Sequence, residues 1–103
     1  MVIWVYDPGK TTGFCKVEKV GVQWRVVEFG EFTDILVLKG QIQSEDRVVY
    51  EKIQPWTLAL DVTGIEVTGA ILYRAKEVGA SCVPQSPSVI KGPQSWPIYN
   101  FKR

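Results

Sequence analysis

The sequence predicts one α/β domain built on a mixed sheet, and three observations lead there. Residues 2 to 6 (V-I-W-V-Y) are an unbroken apolar run, too short for a helix and without alternation, as in a strand buried on both faces. Two further strand-like segments follow, separated by glycine-bearing turns, which makes an antiparallel meander. A strand, a helix and a strand then succeed one another between residues 47 and 85, and such a unit implies a parallel pair with a right-handed crossover.

The elements follow in order. Asp7-Pro8-Gly9 ends the first strand, because proline and glycine favour a turn. Residues 12 to 19 (T-G-F-C-K-V-E-K) form the second strand, Gly21 allows a tight reversal, and residues 22 to 32 form the third, with a bulge expected at Gly30. Residues 33 to 46 fit either a short helix or an edge strand. Residues 47 to 53 (R-V-V-Y-E-K-I) form another buried strand, which closes near Glu51 and is broken by Gln54-Pro55-Trp56. The helix spans 63 to 79. Thr63 and Glu66 have capping-box spacing, Val67, Ile71, Ala75 and Val78 share one face, and Gly79 suits the position just past the end. Gly64 and Gly69 are expected to permit close backbone approach. Residues 80 to 85 form the last strand. Four of the six prolines lie between 84 and 97, so an irregular tail follows, with a short helix at 87 to 91. The domain is assigned to 1–91 and the proline- and aromatic-rich tail to 92–103.

Composition narrows the chemistry. The chain has 103 residues, 46% of them hydrophobic and 22% charged, as in a globular protein with one core. No apolar run is long enough to span a bilayer and no secretory signal opens the chain, so an intracellular protein is expected. Twelve basic and eleven acidic residues leave a net charge of +1, which excludes a strongly basic nucleic-acid coat but not an enzyme of nucleic acids. There is no histidine, which removes Ser-His-Asp and Cys-His catalysis and imidazole metal ligation. Cys15 and Cys82 lack the spacing of a zinc or thioredoxin motif and are expected to be small buried residues.

Two apolar strands each end on one acid, Asp7 and Glu51. If the strands pair in parallel, both carboxylates emerge at one sheet edge, where two anions repel unless a cation lies between them. Hard divalent ions such as Mg²⁺ or Mn²⁺ prefer oxygen ligands of this kind. Lys10, Thr11 and Thr12 follow a glycine turn whose backbone N–H groups, hydroxyls and ammonium suit a phosphate oxygen. Together these make a design for phosphodiester hydrolysis. The bland alternative is a turn acid before proline and a surface acid at a strand end. Gly9-Lys10-Thr11 is not a P-loop, which needs a glycine where Trp4 stands. Trp24, Trp56, Trp96, Tyr99 and Phe101 could stack on unpaired bases, although packing is the commoner role; Trp4 is expected in the core.

The stretch D-P-G-K-T-T-G-F at 7 to 14 resembles the first motif of RuvC-like Holliday-junction resolvases, within the ribonuclease H-like superfamily. V-V-Y-E at 48 to 51 resembles the second motif, T-G-A-I-L-Y-R-A-K at 68 to 76 the helix after it, and V-P-Q-S-P-S-V-I-K at 83 to 91 the next strand with its Pro-x-x-x-Lys element. The resemblance runs in order through most of residues 2 to 91, and the chain's size looks more like a phage version than the bacterial enzyme. It implies a ribonuclease H-like sheet of order 3-2-1-4-5 with few helices, and Mg²⁺- or Mn²⁺-dependent endonuclease action on branched DNA. Carried over, Asp7 and Glu51 are the metal-binding catalytic acids and Lys91 matches a lysine near substrate, while Lys10, Thr11 and Thr12 are the nucleic-acid contacts expected from the turn itself. The family completes its site with further acids on a C-terminal helix, and this chain has no Asp or Glu after Glu77. An incomplete acidic site is therefore expected, with weak metal binding and slow or absent cleavage, and Asp61 or Glu66 as the acids that could substitute. The alternative is an inactive DNA- or partner-binding module that retains the fold. Self-association is expected through the helix at 63–79 or the tail.

Overall fold

β-branched and aromatic residues fill the first strand and bury it on both sides, so it becomes the centre of the sheet. The computed structural model describes residues 1–52 and 62–85. Strands β1 (Val2–Asp7), β2 (Thr12–Val20) and β3 (Gln23–Phe32) form the antiparallel meander, and β4 (Arg47–Glu51) and β5 (Ser81–Gln85) add in parallel, in the order β3-β2-β1-β4-β5. This is the ribonuclease H-like mixed sheet. Ile3, Trp4, Val5 and Tyr6 are all buried, as an apolar run without alternation requires.

The two faces have separate cores. On the first, Trp4, Tyr6, Phe14, Phe32 and Val48 meet Leu38 and Ile42 of the middle segment and Val67, Ile71 and Ala75 of helix α2 (Val62–Val78). On the second, Ile3, Val5, Cys15, Val17 and Val49 pack together. Each fully buried aliphatic side chain of this size contributes roughly 1.5–3 kcal/mol. Cys15 is buried as expected, but Cys82 is only half-buried because it lies on the edge strand β5. Pro84 is tolerated there because an edge strand can spare an N–H.

Residues 33 to 46 settle the helix-or-strand alternative as helix: a 3₁₀ turn at Ile35–Val37, capped by Asp34 accepting from the Leu36 N–H at 3.0 Å, leads into the short helix α1 (Leu38–Gln41). One buried and one partly buried polar bond pin this segment to β1. The Tyr6 hydroxyl donates to Gln41 Oε1 at 2.8 Å, and the Trp4 indole N–H donates to Asp46 Oδ2 at 2.9 Å. Arg74 of α2 donates through Nη2 to the carbonyls of Lys39 and Ile42, each at 3.1 Å.

Three local expectations are corrected. The bulge lies between Lys16 and Val17, where Lys16 pairs with Glu28 and Val17 with Val26, so Val27 is the extra residue. Gly30 instead passes over Phe14, whose ring carbon would sit 3.3 Å from an added Cβ. Helix α2 is described from Val62 onward, so Thr63 lies within the helix rather than at its cap. Of the two helix glycines, Gly64 is buried, whereas an added Cβ at Gly69 would meet open space. The break at 54–56, the tail, its short helix and the domain boundary at 91 lie outside the described residues.

Candidate functional site

Strand direction and register bring the two acids together. β1 and β4 run parallel with Tyr6 opposite Tyr50, and one step further along each strand stand Asp7 and Glu51, the last residues of their elements. Neighbouring strands lie about 4.8 Å apart, within the span of two carboxylates sharing an ion. Alternation fixes their face. Trp4, Tyr6 and Val48 point into the first core and Ile3, Val5 and Val49 into the second, so Asp7 and Glu51 both project from the second face. Both are half-buried.

The row continues across the sheet. Asp7 pairs with Gly13 of β2, Gly13 with Glu31 of β3, and Glu51 with Gln85 of β5. Gly13 brings no side chain to this row. Glu31 is exposed two strands away. Gln85 is half-buried and directly beside Glu51. Neither Glu31 nor Gln85 is legible as a member of this row from the sequence, because membership follows from pairing register; alternation from Val83 was the one available signal for the face of Gln85.

The turn after Asp7 is closed by Thr12. Its hydroxyl donates to the Gly9 carbonyl at 3.2 Å and accepts from the Gly9 N–H at 3.4 Å, and the residue is 1% exposed. Lys10 and Thr11 are exposed on the outside of this turn. Lys91 lies outside the described residues, as do Asp61, Trp56, Trp96, Tyr99 and Phe101. Glu66 is exposed on α2, the helix that packs on the opposite face. Lys16 and Lys19 lie over indole rings, Lys16 5.2 Å from the Trp4 centroid and Lys19 5.6 Å from that of Trp24. Trp24 is itself 46% exposed, and Trp4 is in the core.

Nearby ionisable groups stay neutral at ordinary pH. Burial raises the Tyr50 phenol, with the neighbouring Cys82 adding to the shift. Burial likewise pushes the Cys82 thiol up to about 11. Among the described residues, no group of three or more histidines, cysteines or acids is placed to hold a metal ion. The carboxylates of Asp7 and Glu51 are hard oxygen donors, of a kind that suits Mg²⁺ or Mn²⁺ rather than a soft metal. Among the described residues, no helix is long and apolar enough to cross a membrane.

No protein-family model and no curated protein sequence matches the chain. Solved structures do. The chain superposes on the RuvC structure of Thermus thermophilus with a TM-score of 0.64 at 19% identity, covering 88% of this chain and 67% of that one. It is equally similar, at 18% identity and a TM-score of 0.64, to T. thermophilus RuvC in complex with a Holliday-junction substrate, covering 88% of this chain and 69% of that one. The fold of this chain is accordingly the RuvC-like variant of the ribonuclease H-like sheet.

Proposed function

We propose that this chain is a RuvC-like endonuclease domain for branched DNA, with Asp7 and Glu51 as its divalent-metal ligands and an acidic site that these two residues leave incomplete. The supporting observation is the adjacency of Asp7 and Glu51 on one face at the end of parallel strands. The fold it shares with a resolvase that has been captured on a Holliday junction points to the same substrate class. When bound, Mg²⁺ or Mn²⁺ would supply charge neutralisation at the scissile phosphate and a more acidic water for attack on it. The chain's own residues divide the remaining work. Asp7 and Glu51 hold the ion. Thr12 closes the turn that presents Lys10 and Thr11 outward, where an ammonium, a hydroxyl and turn N–H groups can take a phosphate oxygen. Lys91 is assigned to substrate by the same reading.

Two protein ligands leave Mg²⁺ largely hydrated and weakly held. The expected result is therefore weak metal binding and slow or no cleavage of a synthetic four-way junction by this chain in Mg²⁺ or Mn²⁺. Robust cleavage that disappears in Asp7→Asn would show the site to be complete. The second reading, a module that binds DNA or a partner without cutting it, is favoured by the lack of a third acid beside the pair among the described residues. It predicts junction binding that is indifferent to metal and to Asp7.

Self-association fits the outer side of α2. Ile65, Leu72 and Tyr73 are 46%, 40% and 68% exposed and share the helix side that Gly69 keeps low. Such a stripe suits a second copy of the helix. Sedimentation should give a dimer that Leu72→Glu dissociates; a monomer at high concentration in the unaltered chain would remove this part of the proposal.

A further inference from the structure

We infer that Lys19 and Arg47 form a second phosphate contact for the DNA, at the opposite end of the sheet face that carries Asp7 and Glu51; the inference rests on the nuclease reading above. Alternation fixes the face. Val17 and Val49 belong to the second core. Lys19 follows Val17 by two residues on β2 and Arg47 precedes Val49 by two on β4, so both project from that face as well. Register fixes the end. Arg47 opens β4 and Glu51 closes it, a rise of about 13 Å. Asp7 pairs with Gly13, and Lys19 lies about 20 Å further along β2. Arg47 pairs with Ile3 and Ile3 with Val17, so the two cations stand on the strands that flank β1, about 10 Å apart across the sheet.

Both side chains are exposed, and among the described residues neither is held by an ion pair. The acid next to each in sequence is turned elsewhere. Glu18 lies on the other face of β2, opposite Arg25. The Asp46 carboxylate accepts from the Trp4 indole N–H and from the Gln43 N–H. The Lys19 ammonium is seated over the exposed Trp24 ring, which sets its position at the surface. The second face thus carries Asp7, Glu51 and Glu31 at one end and Arg47 and Lys19 at the other. With a net charge of +1 the chain as a whole attracts DNA little, so affinity depends on local cations that are not already neutralised. One strand of a duplex advances about 3.4 Å per nucleotide, which sets Arg47 about four and Lys19 about six nucleotides from a phosphate at the acid pair. Contacts of this kind carry no base recognition; they fix the register of a DNA arm relative to the acids.

The experiment titrates a fluorescently labelled synthetic four-way junction with the full chain, read by anisotropy between about 50 and 200 mM NaCl. Divalent metal is left out so that no strand is cut, and circular dichroism checks that each variant is folded. The logarithm of the affinity falls linearly with that of the salt concentration, by about 0.9 per phosphate contact. Arg47→Gln and Lys19→Gln should each weaken binding and flatten this slope by about one, and the double variant by about two. Arg47→Lys should keep the slope, because the charge is kept. Lys76→Gln, exposed on the helix of the opposite face, should change neither affinity nor slope. Slopes unchanged in Arg47→Gln and Lys19→Gln, with binding that still falls in Lys10→Gln, overturn the second contact and leave the reading of the acid row standing. A slope flattened equally by Lys76→Gln also overturns it, because net charge rather than place is then what the DNA reads. An unaltered chain that binds no junction overturns the nuclease reading and this inference with it.

Discussion

Tyr6 and Tyr50 face each other across the parallel β1–β4 pair, and the next residue on each strand is an acid, Asp7 on one and Glu51 on the other. The tyrosines point toward the first face, where Tyr6 is wholly buried; the acids, one residue on, point to the second. The sheet thus sets two carboxylates side by side. Like charges on neighbouring strands destabilise a sheet, and a shared cation removes that repulsion.

Divalent ions should therefore stabilise the chain. At a Mn²⁺ concentration ten times the Kd, the gain is about 1.4 kcal/mol, a shift in Tm of several degrees for a domain of this size. In Asp7→Asn the shift should vanish. Thermal melts with and without Mn²⁺ measure both, and an equal shift in the two proteins would place the ion elsewhere.

Gly30 offers a test of packing independent of the site. An added Cβ would lie 3.3 Å from a Phe14 ring carbon. Phe14 cannot easily yield, since its ring sits between those of Trp4 and Phe32, at centroid distances of 6.1 and 6.0 Å. Gly30→Ala should cost about 1–3 kcal/mol, the usual range for overpacking. Chemical denaturation of Gly30→Ala and of the double variant Gly30→Ala/Phe14→Leu checks the cause: the smaller side chain should make the alanine less costly.

That contact also marks where the sequence is legible and where it is not. The strands, their order and the long helix are readable because each imposes a local pattern: the unbroken run at 2–6, the helical spacing of Val67, Ile71 and Ala75, and the motif order of the resemblance. The acid pair is readable because both acids end apolar runs. The bulge at Val26–Val27 is not, since it arises from pairing with Lys16 and Val17 and leaves no mark within β3 itself. Residues 33–46 resisted assignment because the contacts that fix them, Tyr6 with Gln41 and Trp4 with Asp46, span 35 and 42 residues. Gln85 was hidden for the same reason, being next to Glu51 only through register.

Arg74 joins α2 to the middle segment. Its Nη2 donates to two carbonyls at the end of α1, and Nη1 pairs with Glu77 at 2.9 Å. The carbonyl bonds are charge-assisted, and the one to Ile42 is partly buried, so Arg74→Met should cost about 1.5–3 kcal/mol. The exposed Glu77 partner contributes little, and Glu77→Ala should cost under about 1 kcal/mol. Arg74→Lys should not restore the loss, because a single ammonium lacks the planar fork. Urea denaturation ranks the three variants; equal effects for Arg74→Met and Glu77→Ala would assign the stability to the ion pair instead.

Alkaline pH should unfold the chain by way of its buried acids. The Cys82 thiol titrates near 9.0 when unfolded and at about 11 when folded, because burial penalises the thiolate. A raised folded pKa means that the unfolded chain releases its proton first. The contribution is thus fully present below about pH 9 and is lost as pH rises through 11. Tyr6, whose phenol is raised further by burial and then by the negative charges of Asp46 and Glu28, acts in the same direction from pH 10 upward. Tm should be flat from pH 7 to 8.5 and then fall. Cys82→Ser should remove part of the fall between pH 9 and 11 and leave the part due to Tyr6, whereas Cys82→Ser melting with an unaltered slope across that window would show that the thiol is as solvated in the folded chain as in the unfolded one.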